Sequence, residues 1–311
     1  MKKKMLSVIL VTVIMAAIAS GCSSKEEETK ATESITTVET DNRETTTDNQ
    51  PSADEETKAA ESESNAEGDE SLSYILDKGT FVLGLDTSFP PMGFLDKEQN
   101  IIGFDIDVAA EVARRLGVRL VLQPISWDAK ELELSAKNID CIWNGMSVND
   151  DRKANLNLSD TYMENKQVVV VLADSSISLL QDLSGKTVVI QNGSTAQDAM
   201  EGNEELLNSI GTLTKVEDNI KAMLDLKIQS SDAVVMDEVV ARYYTTLEAN
   251  EGQYKILDET LSDEEYAVGF RKGDDELTEK VNRILQEMAQ DGSLAQISQT
   301  WFGSDITVIS K

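Results

Sequence analysis

Ile139-Asp140-Cys141-Ile142-Trp143-Asn144-Gly145-Met146-Ser147-Val148-Asn149-Asp150-Asp151-Arg152 is the stretch from which the fold can be read. Its first five residues, apolar but for Asp140, have the length of a short buried strand. The run stops at the small polar loop Asn144 to Ser147, and alternation along the strand turns Trp143 to the face opposite Asn144, into a core. The same shape recurs along the chain. Thr80 to Leu85 leads into Asp86, Val188 to Ile190 leads to Gly193, Ser194 and Thr195, and Ala233 to Met236 leads into Asp237. Further strands are expected over 118–122, 168–172 and 266–270. Helical spacing is expected over 104–116, stopped by Gly117, then over 128–137, from Thr195, and over 217–228, 277–288 and 294–301. Strands separated by helices of this length predict an α/β fold with parallel sheets covered on both faces. Ligands of such sheets bind beyond the carboxyl ends of the strands. The polar groups just named fall at those ends, which predicts one small polar ligand held by several loops.

The N-terminal region is of a different kind. Lys2, Lys3 and Lys4 precede an apolar run from Met5 to Ile18, short for a membrane span and fitting a signal peptide over residues 1–21. Ala19-Ser20-Gly21-Cys22 resembles a lipobox, which implies an acylated Cys22 and a chain anchored by lipid on the outer face of the cytoplasmic membrane. Residues 22–71 are rich in Glu, Thr, Ser and Asp, with 16 acidic against 4 basic residues from Ser23 to Ser71 and no aromatic. Such a composition cannot bury enough surface to offset chain entropy, so an acidic disordered linker is expected.

Charge and composition exclude several functions. The chain has 57 acidic and 28 basic residues and a formal net charge of −29, which argues against nucleic acid as a partner. It contains no histidine, which removes Ser-His-Asp and Cys-His catalysis and imidazole zinc sites. No phosphate-binding glycine loop is present. Neither a metal nor a cofactor is expected. With Cys22 used for the anchor, Cys141 is the one remaining cysteine and reads as a buried thiol.

Several strings, in order, resemble the polar amino-acid family of extracellular solute-binding proteins. They are Asp86 to Phe94 (DTSFPPMGF), Ile102 to Val108 (IGFDIDV), Trp127-Asp128, Ile139 to Arg152, Leu183 to Val188 (LSGKTV) and Gln191 to Thr195 (QNGST). Asp232 to Glu238 (DAVVMDE), Val268 to Lys272 (VGFRK), Gly292 to Leu294 and Trp301 to Gly303 complete the series. The resemblance implies a type II periplasmic-binding-protein-like fold of two α/β lobes joined by two crossover strands. Lobe one is expected over 72–165 plus 264–311 and lobe two over 166–263, with ligand between them and closure by hinge motion. It implies a monomer that binds a free amino acid and hands it to an ABC transporter permease, and no catalysis. A sensor lipoprotein and a dehydratase-like enzyme on the same fold are the alternatives; Lys130 or Glu238 would be the acid or base of the latter.

The resemblance also assigns roles. Arg152 would grip the ligand carboxylate with a two-pronged guanidinium, helped by Ser147, Ser194 and Thr195. The other reading of Arg152 is a solvated helix residue paired with Asp150 or Asp151, and that of Ser194 and Thr195 is helix capping. Asp237 would accept the ammonium, with the Gly145 carbonyl, or else cap the helix from Glu238. Phe89 and Trp127 would pack on the aliphatic part or simply on the core. Asp86 would read the side-chain end, and Asn144, where the family often has a smaller residue, would set pocket polarity. An amide, a basic side chain or cystine would all fit an acid at that end.

Overall fold

The computed structural model describes residues 68–309. The expected signal segment, Cys22 and nearly all of the acidic linker lie outside the described residues, and the first helix, Ser71–Lys78, begins at the linker's expected edge.

Two five-stranded sheets organise the described residues. In the first the strands run Arg119–Pro124, Thr80–Leu85, Cys141–Ile142, Gly269–Arg271, Leu156–Leu158. In the second they run Thr212–Val216, Thr187–Gln191, Ala233–Asp237, Met163–Leu172, Tyr254–Tyr266. The expectation of parallel sheets needs correction. In each sheet the first three strands are parallel and the last two join antiparallel. Helical crossovers force parallel pairing. Met163–Leu172 and Tyr254–Tyr266 instead carry the chain between the sheets, and Gly269–Arg271 is entered directly from that return.

These two long strands pair antiparallel from Leu172↔Tyr254 to Met163↔Tyr266, with register shifts between Ile256 and Ser262. An irregularity of this kind breaks the ladder and lets a strand bend. The expected strand over 266–270 is divided: Tyr266 ends the long strand and Gly269 starts the next.

The core follows from the apolar runs. Val168 to Val171 is buried on both faces, as expected for a strand with helices on either side. The helix Phe104–Leu116 buries Phe104, Val108, Val112 and Leu116 and is closed by Gly117 in the left-handed region, where glycine carries no Cβ penalty. Trp143, just past the strand Cys141–Ile142, is fully buried, and Cys141 is too; burial pushes the Cys141 thiol well above the ordinary value. A thiol so placed is inert.

Candidate functional site

The strand ends named in the sequence come together where loops of the two sheets meet. Gln191 Nε2 donates to Asp86 Oδ2 at 2.7 Å, Lys130 Nζ to the Gly193 carbonyl at 3.0 Å, and Asn192 Nδ2 to Asp128 Oδ2 at 3.1 Å. Asn149 Nδ2 also reaches Asp198 Oδ2 at 2.9 Å. Gly193 has φ +69°, and a Cβ there would stand 2.9 Å from Asp128 Cα, so close approach of the loops requires glycine.

Arg152 lies in the short helix Asp150–Asn155, whose N-cap Asn149 accepts its backbone N–H at 2.8 Å. The cap fixes the start of the helix and turns Arg152 inward; the residue is only 4% exposed. Its Nη1 donates to the Ser147 carbonyl at 2.6 Å. Among the described residues no carboxylate oxygen lies within 4.0 Å of the guanidinium; Asp150 pairs with Lys153 instead. Burial pulls the guanidinium below its ordinary value, and the charges of Asp198, Glu131, Glu264 and Asp237 oppose that. A guanidinium presents two parallel N–H groups whose geometry matches a carboxylate.

Ser194 is the N-cap of the helix Thr195–Gly202: its Oγ donates to the Gln191 carbonyl at 2.7 Å and accepts from Gln197 N–H. The Thr195 hydroxyl lies 3.2 Å from Ser147 Oγ and 3.1 Å from Glu264 Oε2. Ser147 Oγ itself donates to Glu264 Oε2 at 2.6 Å. Two hydroxyls expected at a ligand carboxylate therefore face the side chain of Glu264, a residue the sequence reading did not single out.

Asp237 ends its strand and precedes the helix Glu238–Thr246, but its side chain makes no cap bond. Its Oδ1 accepts from Asn165 Nδ2 at 2.6 Å and from the Tyr266 hydroxyl at 2.8 Å. Burial first, and then the nearby Glu264 charge, push its carboxyl up to about 7, with Tyr266 working the other way. An acid in that position gains from a cation beside it.

Asp86 is buried. Its Oδ1 accepts from the Ser88 amide and hydroxyl, and burial raises its pKa against those bonds and the one from Gln191. Asn144 Oδ1 accepts from the Asp86 amide at 3.0 Å, while its buried Nδ2 has no partner among the described residues. Phe89 and Trp127 are each 7% exposed. A Cβ on Gly145, which has φ +58°, would meet Phe89 at 2.7 Å, so glycine lets the aromatic ring lie on this loop.

The suspected acid-base residues are otherwise engaged. Lys130 Nζ also donates to the Trp127 carbonyl and lies 5.1 Å from that ring's centroid; desolvation, then Arg152, lowers it to about 8. Glu238 pairs with Arg242 along its helix. Asp105, inside the quoted IGFDIDV string, is buried, and its Oδ2 accepts from the Gly145 amide at 2.7 Å and the Tyr162 hydroxyl at 3.1 Å, which fixes the Asn144–Ser147 loop.

Two sheets flanked by helices and joined by two long strands, with a buried guanidinium and buried acids where their loops meet, define a two-lobe binding protein. The chain belongs to the bacterial extracellular solute-binding proteins, family 3, whose family model matches residues 81–304. It is 29% identical over 238 residues to the L-cystine-binding protein TcyJ of Escherichia coli K12, covering 76% of this chain and 87% of that protein. It is 30% identical over 226 residues to the arginine-binding extracellular protein ArtP of Bacillus subtilis, covering 72% and 87%. An ABC uptake transporter substrate-binding protein from Streptococcus pneumoniae, solved with bound histidine, superposes with a TM-score of 0.75 at 37% identity, covering 78% of this chain and 99% of that one. Among the described residues no helix is long and apolar enough to cross a membrane.

Proposed function

We propose that this protein binds a free amino acid between two lobes, 72–165 plus 264–311 and 166–263, and delivers it to the permease of an ABC importer. The observation that carries the reading is Arg152, buried and free of any carboxylate within 4.0 Å among the described residues, close to Ser147 and Thr195. A ligand carboxylate satisfies that guanidinium with two parallel hydrogen bonds, and Ser147 and Thr195 supplement it. Ser194, whose hydroxyl is used as a cap, contributes through the helix N-terminus it opens. Asp237 and the Gly145 carbonyl take the ammonium. Phe89 and Trp127 wall the aliphatic part, and Asp86 with Asn144 faces the side-chain end.

The protein acts as a monomer held by lipid on Cys22 at the outer face of the cytoplasmic membrane. The reading is of binding without catalysis, and it is supported by Lys130 donating to two carbonyls and Glu238 pairing with Arg242. A thermal-shift screen of residues 68–311 against the proteinogenic amino acids and L-cystine tests the reading. Ligand at about 100 times its dissociation constant adds roughly 2.7 kcal/mol, a melting rise of roughly 5–10 °C. No shift with any of these compounds would sink it.

A further inference from the structure

Glu264 stands on the returning crossover strand with four donors around one of its oxygens. Ser147 Oγ, Gln167 Nε2, Thr195 Oγ1 and Asn165 Nδ2 lie 2.6, 3.0, 3.1 and 3.2 Å from Oε2. The same Asn165 nitrogen donates to Asp237 Oδ1 at 2.6 Å, so one amide bridges two carboxylates. Like charges this close and this sheltered repel, and the pairing is costly without a cation to share.

The amide oxygens point the same way. Asn165 Oδ1 and Gln167 Oε1 are buried and have no hydrogen-bond partner among the described residues, although the nitrogens of both amides are engaged. Asn165 is 4% and Gln167 0% exposed. Leaving such an acceptor dry and unpaired carries a desolvation cost. Two carboxylates and two orphaned carbonyl oxygens make a region with more acceptors than donors. Its complement is a small group with one positive charge and several N–H donors.

We propose that Glu264, with Asn165 and Gln167 of the facing crossover strand, completes the seat of the ligand's α-ammonium and shares it with Asp237. The proposal rests on the amino-acid reading above and extends it to the crossover strands. The ammonium lies between the two carboxylates, and the amide oxygens take its remaining N–H groups. The upward push that the Glu264 charge exerts on Asp237 is relieved when the cation arrives. Ser147 and Thr195, once released from Glu264, turn their hydroxyls to the ligand carboxylate beside Arg152.

The test is calorimetry on wild type, Glu264→Gln and Glu264→Asp. The probes are L-arginine, L-histidine, L-glutamine, L-cystine and the α-hydroxy acid matching whichever of them wild type binds best. Glu264→Gln keeps the shape and removes the charge. It should weaken the amino acid about tenfold to a hundredfold and the hydroxy acid much less, which shrinks the preference for the amino form. Glu264→Asp keeps the charge and should retain more of that preference. Binding of the amino acid by Glu264→Gln within threefold of wild type, or an equal loss for both probes, overturns the seat. Wild type that binds none of the probes overturns the parent reading instead.

Discussion

The Asp86 carboxylate and the Gln191 amide meet at 2.7 Å across the junction of the two sheets. One is at the end of a first-sheet strand and the other at the end of a second-sheet strand, so a ligand side chain touching this pair feels both. Asp86→Asn should therefore reorder ligands. Cationic side chains should lose most, and neutral ones little, in calorimetry against a small panel. A uniform loss across the panel would mean that Asp86 does not read the side chain.

Among the described residues Arg152 makes a single polar side-chain contact, to the Ser147 carbonyl. Removing one member of a buried ion pair costs ~3–5 kcal/mol, about 10²–10³-fold in affinity. Arg152→Ala should lose that much for every ligand. Arg152→Lys should recover little, because a point charge cannot reproduce two parallel N–H groups. Affinity within threefold of wild type in Arg152→Ala would remove the residue from the site.

Asp237 and Asp105 have carboxyls raised to about 7 in the folded chain from 3.8. Burial is the first cause for both. Between these limits the folded state binds more protons than the unfolded one, so each acid lowers stability as pH rises toward 7. Denaturant unfolding without ligand should show stability rising from pH 8 to pH 5. Ligand affinity should move oppositely, falling as Asp237 is protonated and ceases to attract the ammonium. Asp237→Asn should flatten both slopes. Slopes unchanged in that variant would place the titrating group elsewhere.

Gly193→Ala adds a Cβ 2.9 Å from Asp128 Cα at a left-handed position. Left-handed backbone costs roughly 1–2 kcal/mol outside glycine, and the clash is at the loop contact between the sheets. The variant should bind ligand at least several-fold more weakly. Its radius of gyration by X-ray scattering should shrink less than that of wild type when ligand saturates. Equal contraction and equal affinity would show that this contact does not govern closure.

Cys22→Ala should move the full chain from the membrane fraction to the soluble one, while the ligand-induced melting shift of residues 68–311 stays the same. A variant still bound to membranes after high-salt washing would rule out the lipid anchor.

The helix Phe104–Leu116 and the strand Thr80–Leu85 were legible because each carries its own period and its own stop signal. Tyr254–Tyr266 was not, since Asp258, Glu259, Asp263, Glu264 and Glu265 erase the apolar alternation by which a strand is recognised. Its ladder with Met163–Leu172 supplies what local pattern lacks. The site divides in the same way. Arg152, Asp237, Asp86 and Gln191 sit at strand ends or in quoted strings, whereas Glu264, Asn165 and Gln167 owe their importance to partners at least 28 positions away in the chain. Ser194 shows the reverse: its cap was legible from the helix start alone, and the structure uses its hydroxyl there.

Gly269–Arg271 lies between Cys141–Ile142 and Leu156–Leu158 in the first sheet. Those two strands therefore have no common neighbour until a segment more than a hundred residues downstream has been made and exported. The second sheet is drawn from one unbroken stretch of chain and can assemble as soon as that stretch emerges. Secretion in N-to-C order thus leaves the earlier half waiting, its central gap open, while the later half is already built. A nascent chain stopped at about residue 266 would hold a finished second sheet and a split first one, which makes the forty-five residues that follow the latch that completes maturation.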